Sequence, residues 1–316
     1  MQTIGVVGLG NMGRGMVASL RRGGYAVCGY DALAGVAQAL AGEADDVTGG
    51  GAHDAADGAG DGSSGGVQPR MTACASIAEL VSRVDLLILS LPTSAIVEQV
   101  TLGEDGVRAH AKPGLIVVDT TTAEPDSTRR VAAALREAGI GFVDAPVSGG
   151  PKGAATATMT MVLGGADADV AAIEPVLAVM SARRVHVGPV GAGHVTKILN
   201  NMLTGIHLLA AAEAVRAAEA SGVDPRKLVE ALNGGSGRNS ATLTNYPTWI
   251  FNDGFDSGFT MKLMRKDVRL GLDLLAGIDA NAPLATASGR IWAASAETLG
   301  DAEDFNRIVQ FDPPRG

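Results

Sequence analysis

Lys197 and Asn201 are the residues of this chain whose types and spacing most directly suggest proton-transfer chemistry. They stand four apart in residues 195–220, an unbroken helical pattern of about seven turns. Four apart on a helix puts both side chains on one face. A helical lysine is ordinarily solvated, yet Lys197 is flanked by Ile198, Leu199, Met202 and Leu203. Apolar flanks and the positive end of a helix both disfavour an ammonium and lower its pKa. An amine so placed could pass a proton to or from a substrate oxygen. Asn201 could orient that oxygen without changing charge.

A second constellation opens the chain. Gly8, Gly10 and Gly13 have the spacing G-x-G-x-x-G and enclose Leu9, Asn11 and Met12. Gly8 permits a tight turn, Gly10 lets a pyrophosphate approach the backbone, and Gly13 lets a new helix lie close. In a chain with 43 glycines such spacing also arises by chance, so the context decides. Ile4, Val6 and Val7 read as a buried strand before the glycines. Residues 15–22 continue as a helix whose N–H groups and dipole face the phosphates. Asp31 ends the next strand about 20 positions on, where a ribose 2′-hydroxyl is held. Asp31 would repel a 2′-phosphate and no Lys or Arg closely follows it, which favours NAD over NADP without excluding NADP.

Other candidates are less specific. Residues 145–154 form a loop dense in Gly and Pro around Ser148, Gly149 and Gly150. It reads either as an anion cradle or as a plain connection. Lys262 and Lys266 are four apart and read as a basic helix face, and Asp267 beside Lys266 could equally be a surface ion pair of little worth. Ser148 lacks a nucleophile-elbow pattern, which disfavours a serine hydrolase. The five histidines make no ligand pair, and Asp45, Asp46, His53, Asp54, Asp57 and Asp61 follow no metal-loop spacing, so no metal site is expected.

The elements that must position these residues alternate. Strands are predicted at 25–30, 85–91, 115–119, 140–144 and 158–163, and helices at 36–40, 77–81, 94–100, 126–138 and 167–180. Pro175 lies inside the last of these and predicts a kink. Such alternation predicts a parallel sheet wound on both sides, with ligands off the carboxyl ends of its strands. The glycine turn, Asp31, Ser90, Leu91, Thr121 and Thr122 all fall at such ends. The stretch from Gly42 to Gln68 has almost no large apolar residue and reads as a flexible surface insertion. After 195–220 come helices only, at 227–232, 261–275 and 287–297. The expected architecture is therefore α/β, with a nucleotide-binding domain at 1–191 and an all-helical domain at 192–316 joined through the long helix.

The chain has 316 residues, 46% of them hydrophobic, ample for two cores. A net charge of −9 argues against a nucleic-acid surface. No uninterrupted apolar run reaches the ~18 residues of a membrane span, and the N-terminus reads as a core strand rather than a signal peptide. Two cysteines, Cys28 and Cys74, read as core packing in a reducing, cytoplasmic setting.

Four motifs, in order, resemble the β-hydroxyacid dehydrogenase family: residues 8–13, 144–150, 193–201, and Lys266-Asp267 with Phe259 upstream. The resemblance spans nearly the whole chain. It implies a Rossmann-type domain followed by an all-α domain. It also implies Lys197 as catalytic acid/base, Asn201 as a substrate contact, and Ser148, Gly149 and Gly150 as the site of the substrate's carboxylate end. By the same resemblance Lys266 closes over the cofactor, Ser90, Leu91 and Thr121 contact the nucleotide, and Thr122 faces substrate. Family members are homodimers or homotetramers. The insertion at 42–68 departs from the family pattern. Relatives that reduce imines replace the lysine, so Lys197 argues against that activity.

The expected function is NAD(P)-dependent oxidation of a small β-hydroxy acid to its semialdehyde, or the reverse. Two rivals stand beside it. One is a reductase of sulfonate or sugar-acid semialdehydes on the same scaffold, with Arg238 in residues 233–240 either pairing a strong anion or only stiffening a loop. The other is a non-catalytic NAD-binding sensor.

Overall fold

The computed structural model describes residues 2–43 and 71–312. The expected insertion therefore falls, from residue 44 on, outside the described residues. The chain divides into two compact units, Met1–Gly191 and Ala192–Gly316.

The first unit is built around one sheet. In chain order it contains β1 (Thr3–Val7), α1 (Asn11–Arg22), β2 (Ala26–Tyr30), α2 (Val36–Gly42), β3 (Thr72–Ala73), α3 (Ile77–Arg83) and β4 (Leu86–Leu89). Then follow α4 (Ser94–Leu102), α5 (Val107–His110), β5 (Ile116–Asp119), α6 (Pro125–Glu137) and β6 (Gly141–Asp144). The unit ends with β7 (Val147–Ser148), α7 (Gly150–Thr156), β8 (Met159–Gly164), α8 (Asp167–Ala178) and β9 (Ser181–Gly188). The sheet runs β3-β2-β1-β4-β5-β6-β8-β7, with β9 paired to β8. The first six strands in that order are mutually parallel.

Apolar runs make these strands, because both faces of the sheet are covered. Ile4, Val6, Leu86, Ile88 and Val118 point to one face and pack with Met16, Val17 and Leu20 of α1. Val7, Leu87, Leu89 and Val117 point to the other and pack with Leu80, Val97, Val131 and Leu135. Cys28 and Cys74 are free, buried thiols in this second layer. Side-chain caps start two of the covering helices: Ser76 accepts from Glu79 N–H and Thr93 from Ile96 N–H.

Several features differ from the expectation, β3 and α5 among them. β8 meets β6 and β7 in antiparallel pairing, so the parallel sheet carries a mixed edge. The Gly/Pro-rich stretch 145–154 is not a loop: it holds β7 and the start of α7, with Pro151 in the first turn, where a proline's missing N–H costs nothing. β9 was not expected. Most of its residues are exposed, so it lacks the apolar run that announces a buried strand.

The second unit is helical. It contains α9 (Ala192–Ala220), α10 (Pro225–Gly234), α11 (Met261–Gly277) and α12 (Pro283–Ala294), with a π-type helix over Ala241–Ile250 and 3-10 turns at Ser295–Glu297 and Phe305–Gln310. The Ala241–Ile250 helix was also unexpected, since Pro247 lies inside it. Asp224 caps α10 through the N–H groups of Arg226 and Lys227. α9 is the hub. Leu208, Ala211 and Val215 pack with Met261, Met264, Val268, Trp292 and Ile308, and the Trp292 indole N–H donates to the Gly205 carbonyl at 3.3 Å. Among the described residues α9 is the one helix long and apolar enough to cross a membrane, with mean hydropathy 1.3 over its best window. Its buried positions include the polar residues His194, Lys197 and Asn201.

Candidate active site

The glycine turn lies where the strand order reverses, between β1 and β4, the place where doubly wound sheets bind ligands. Gly8 has φ +90°, and a Cβ there would run into the Ser90 carbonyl. A Cβ on Gly13 would run into the Gly8 carbonyl, so Gly13 protects the turn itself as well as helix packing. At Gly10 an added Cβ meets nothing within 4 Å. The space in front of the turn is open to a phosphate, and α1 starts there with no side-chain cap on its N–H groups. Leu9 is buried, Met12 half-buried and Asn11 exposed.

Asp31 is bound into this turn. Its Oδ2 accepts the Leu9 N–H at 2.7 Å and its Oδ1 the Leu33 N–H at 2.9 Å. The carboxylate thus fixes the loop from the second strand. The residues present fit a dinucleotide: an open glycine cradle, an uncapped twelve-residue helix and a fixed acid beside them.

Two further loops leave the carboxyl ends of β4 and β5. Thr121 is 3% exposed, and its Oγ1 accepts the Leu91 N–H at 3.2 Å. Ser90, Leu91 and Thr122 are half-buried, and Ser90 N–H donates to the Val7 carbonyl at 2.9 Å. Ser148 pairs with Thr160 across β7 and β8. Gly149 and Gly150 follow at φ +128° and +62°, and α7 starts there with no side-chain cap.

The second unit holds the polar cluster. Lys197 and Asn201 lie on one buried face of α9, 9% and 7% exposed. The Asn201 Nδ2 donates to Asp267 Oδ2 at 2.6 Å, and Lys266 Nζ stands 3.3 Å from Asp267 Oδ1. Asp267 is 1% exposed. It is therefore no surface ion pair: it is the buried carboxylate around which Lys197, Asn201 and Lys266 gather. Burial pulls the Lys197 pKa down to about 8, the Asp267 charge opposes the fall, and Lys266 adds to it. The helix end contributes less than the sequence suggested, because Lys197 sits in the second turn of α9 and a terminal dipole fades within the first.

The sequence held a signal for Asp267. Met264, Asp267, Val268 and Gly271 share the buried stripe of α11. A carboxylate at an apolar position of an amphipathic helix asks for a buried partner. Lys262 is exposed and Phe259 packs edge-to-face on Phe305 at 5.4 Å. Arg238 is exposed, which gives an anion-pairing role no support. Among the described residues no group of His, Cys, Asp and Glu could hold a metal.

A glycine cradle at the switch point of a doubly wound sheet, together with a helical unit that buries a lysine, defines the class as a nicotinamide-dinucleotide dehydrogenase. Residues 3–188 match the NAD binding domain of 6-phosphogluconate dehydrogenase, and residues 191–311 match the NAD-binding domain of NADP-dependent 3-hydroxyisobutyrate dehydrogenase. The chain belongs to the β-hydroxyacid dehydrogenase family and catalyses NAD(P)-dependent oxidation of small β-hydroxy acids. It is 36% identical over 281 residues to a 2-(hydroxymethyl)glutarate dehydrogenase of Eubacterium barkeri, covering 89% of this chain and 84% of that one. It is 30% identical to an NAD-dependent L-serine dehydrogenase of Pseudomonas aeruginosa over the full length of both. The solved Mycobacterium tuberculosis 3-hydroxyisobutyrate dehydrogenase with L-serine superposes with a TM-score of 0.83 at 32% identity, over 98% of each chain.

Proposed function

We propose that Lys197 is the acid/base of the reaction and that the substrate is a short β-hydroxy acid, of the size of 3-hydroxyisobutyrate or L-serine, on which relatives of this chain are named as acting. The observation that carries this reading is the buried Lys197, with a pKa near 8, beside Asp267. Near neutrality such an amine both accepts and returns a proton, whereas an ordinary lysine at ~10.4 is a poor base. In oxidation the neutral Lys197 Nζ takes the hydroxyl proton; in reduction the ammonium gives it back. NAD, when bound, supplies the hydride acceptor. Asn201, held by Asp267, orients the reacting oxygen. Ser148, Gly149, Gly150 and Thr122 bind the carboxylate end of the substrate, which fixes the reacting carbon.

The cofactor is held by Gly8, Leu9, Gly10, Asn11, Met12, Gly13, Asp31, Ser90, Leu91 and Thr121, and Lys266 closes over it. Asp31 favours NAD: its carboxylate is already fixed by two N–H groups, which suits a ribose hydroxyl and repels a 2′-phosphate. The working form is a cytoplasmic homodimer or homotetramer.

A panel of small hydroxy acids, each with NAD and with NADP and read by reduced-nicotinamide absorbance, tests the reading. Turnover of a β-hydroxy acid with NAD, lost in Lys197→Ala while NADH still binds, is expected. Near-normal turnover by Lys197→Ala would refute it, and NADH binding without turnover of any hydroxy acid would favour a sensor.

A further inference from the structure

Asp119 ends β5 and is wholly buried. The register places Leu89 of β4 on one side of it and Asp144 of β6 on the other. Its Oδ1 accepts the Thr121 N–H at 3.0 Å, and Thr121 in turn accepts the Leu91 N–H. A chain of hydrogen bonds thus runs from the floor of the sheet through the loop after β5 into the loop after β4. The neighbouring backbone is tied to the same floor: the Thr120 N–H and Oγ1 both bond the Leu89 carbonyl, at 2.9 and 2.7 Å, and the Ala145 N–H bonds the Asp119 carbonyl at 2.7 Å. A buried acid beside a second buried acid is costly, and a purely structural end to a strand does not require one.

We propose that Asp119 is a positioning residue for the cofactor: its carboxylate fixes Thr121, and Thr121 fixes the Leu91 N–H, so the loops after β4 and β5 present one set of contacts to the dinucleotide. This rests on the reading that those two loops hold the dinucleotide. The group is poised to titrate. Burial pushes the Asp119 pKa up to about 7, Asp144 pushes the same way, and the bonds from Thr121 oppose the rise. Asp144 on β6 is the charged group acting on it, Leu89 faces it from β4, and Asp144 itself accepts the Gly191 N–H at 2.7 Å. A charged carboxylate accepts an N–H bond roughly twice as strongly as a neutral carboxyl. Protonation therefore slackens Thr121, and cofactor affinity falls as pH drops through this range.

The test is NADH binding by fluorescence from about pH 6 to about pH 8.5, in a Lys197→Ala background so that Lys197 adds no titration. The expected result is affinity falling roughly five-fold toward the acid end, with the Asp119→Asn form weak and flat across the range. If Asp119→Asn follows the same curve as its parent, or the parent is flat, the proposal is overturned. Should Asp119→Asn not fold, calorimetry of the parent near neutrality in buffers of different ionisation enthalpy replaces it. Release of a fraction of a proton on NADH binding supports the proposal, and no release overturns it. Failure of the parent to bind NADH at any pH defeats the cofactor-site reading instead, a result distinguishable from the others.

Discussion

Each unit buries an ionisable pair, and the two pairs are opposites. On α9 and α11 a buried cation, Lys197, has a carboxylate, Asp267, as its neighbour. On β5 and β6 a buried acid, Asp119, has another acid, Asp144, as its neighbour. Burial drives both toward the neutral form, so the lysine falls and the aspartate rises. The neighbour then decides how far. Asp267 restrains the fall of Lys197, whereas Asp144 reinforces the rise of Asp119. Both groups arrive near neutrality, from opposite directions. Depth of burial alone does not make a proton-transfer group; the sign of the adjacent charge sets where it titrates.

The strongest way to break this contrast is to delete the cation. Lys197→Ala is expected to lower kcat by roughly 10²–10⁴, with NADH affinity within about two-fold of wild type. Lys197→Arg should not rescue it, because a guanidinium keeps its proton throughout this range. Equilibrium NADH binding and steady-state rates measure both. Next in size is Gly13→Ala, whose methyl cannot fit against the Gly8 carbonyl. It should cost more than about ten-fold in NADH affinity, read by fluorescence titration, and leave the Lys197 titration unmoved.

Two charge-neutralising variants sharpen the contrast. With Lys197 as the proposed acid/base, oxidation uses the neutral amine, so its rate should climb as pH rises through about 8, and the reduction rate should fall over the same range. Removing the negative neighbour in Asp267→Asn must lower the Lys197 pKa further. The rise in oxidation rate should then move to lower pH, with kcat reduced several-fold because Asn201 loses a charged acceptor. Smallest is Asp144→Asn. Loss of the like charge lowers the Asp119 pKa, so the acid-side loss of NADH affinity should also shift to lower pH. The same chemical change thus drives Lys197 further from its ordinary range and brings Asp119 back toward its own.

The fold was legible where burial is one-sided or complete. β1, β4 and β5 announce themselves as apolar runs, and α9 as a long period-3.6 pattern, because each owes its place to packing. β9 is hidden, since exposed Arg183 and half-buried Arg184 break any apolar run, and the strand pairs in the sheet with β8 alone. α7 was hidden by its own Gly and Pro, which read as a turn until Pro151 is seen to occupy the first turn of a helix. That Lys197 and Asn201 share one face could be read from spacing on one element. Asp267 could not be joined to them that way, because the partnership crosses from α9 to α11 and sequence adjacency pointed to Lys266 instead. Asp119 is not legible in the sequence for a related reason: nothing in its own segment shows that the neighbouring strand places Asp144 beside it.

The most direct test is the titration of the Lys197 amine itself. In protein with isotope-labelled lysine, the Nζ resonance missing from Lys197→Ala identifies the group in the wild-type spectrum. The expected midpoint is near 8 and falls in Asp267→Asn. A midpoint at the ordinary lysine value of ~10.4, unchanged in that variant, would contradict it.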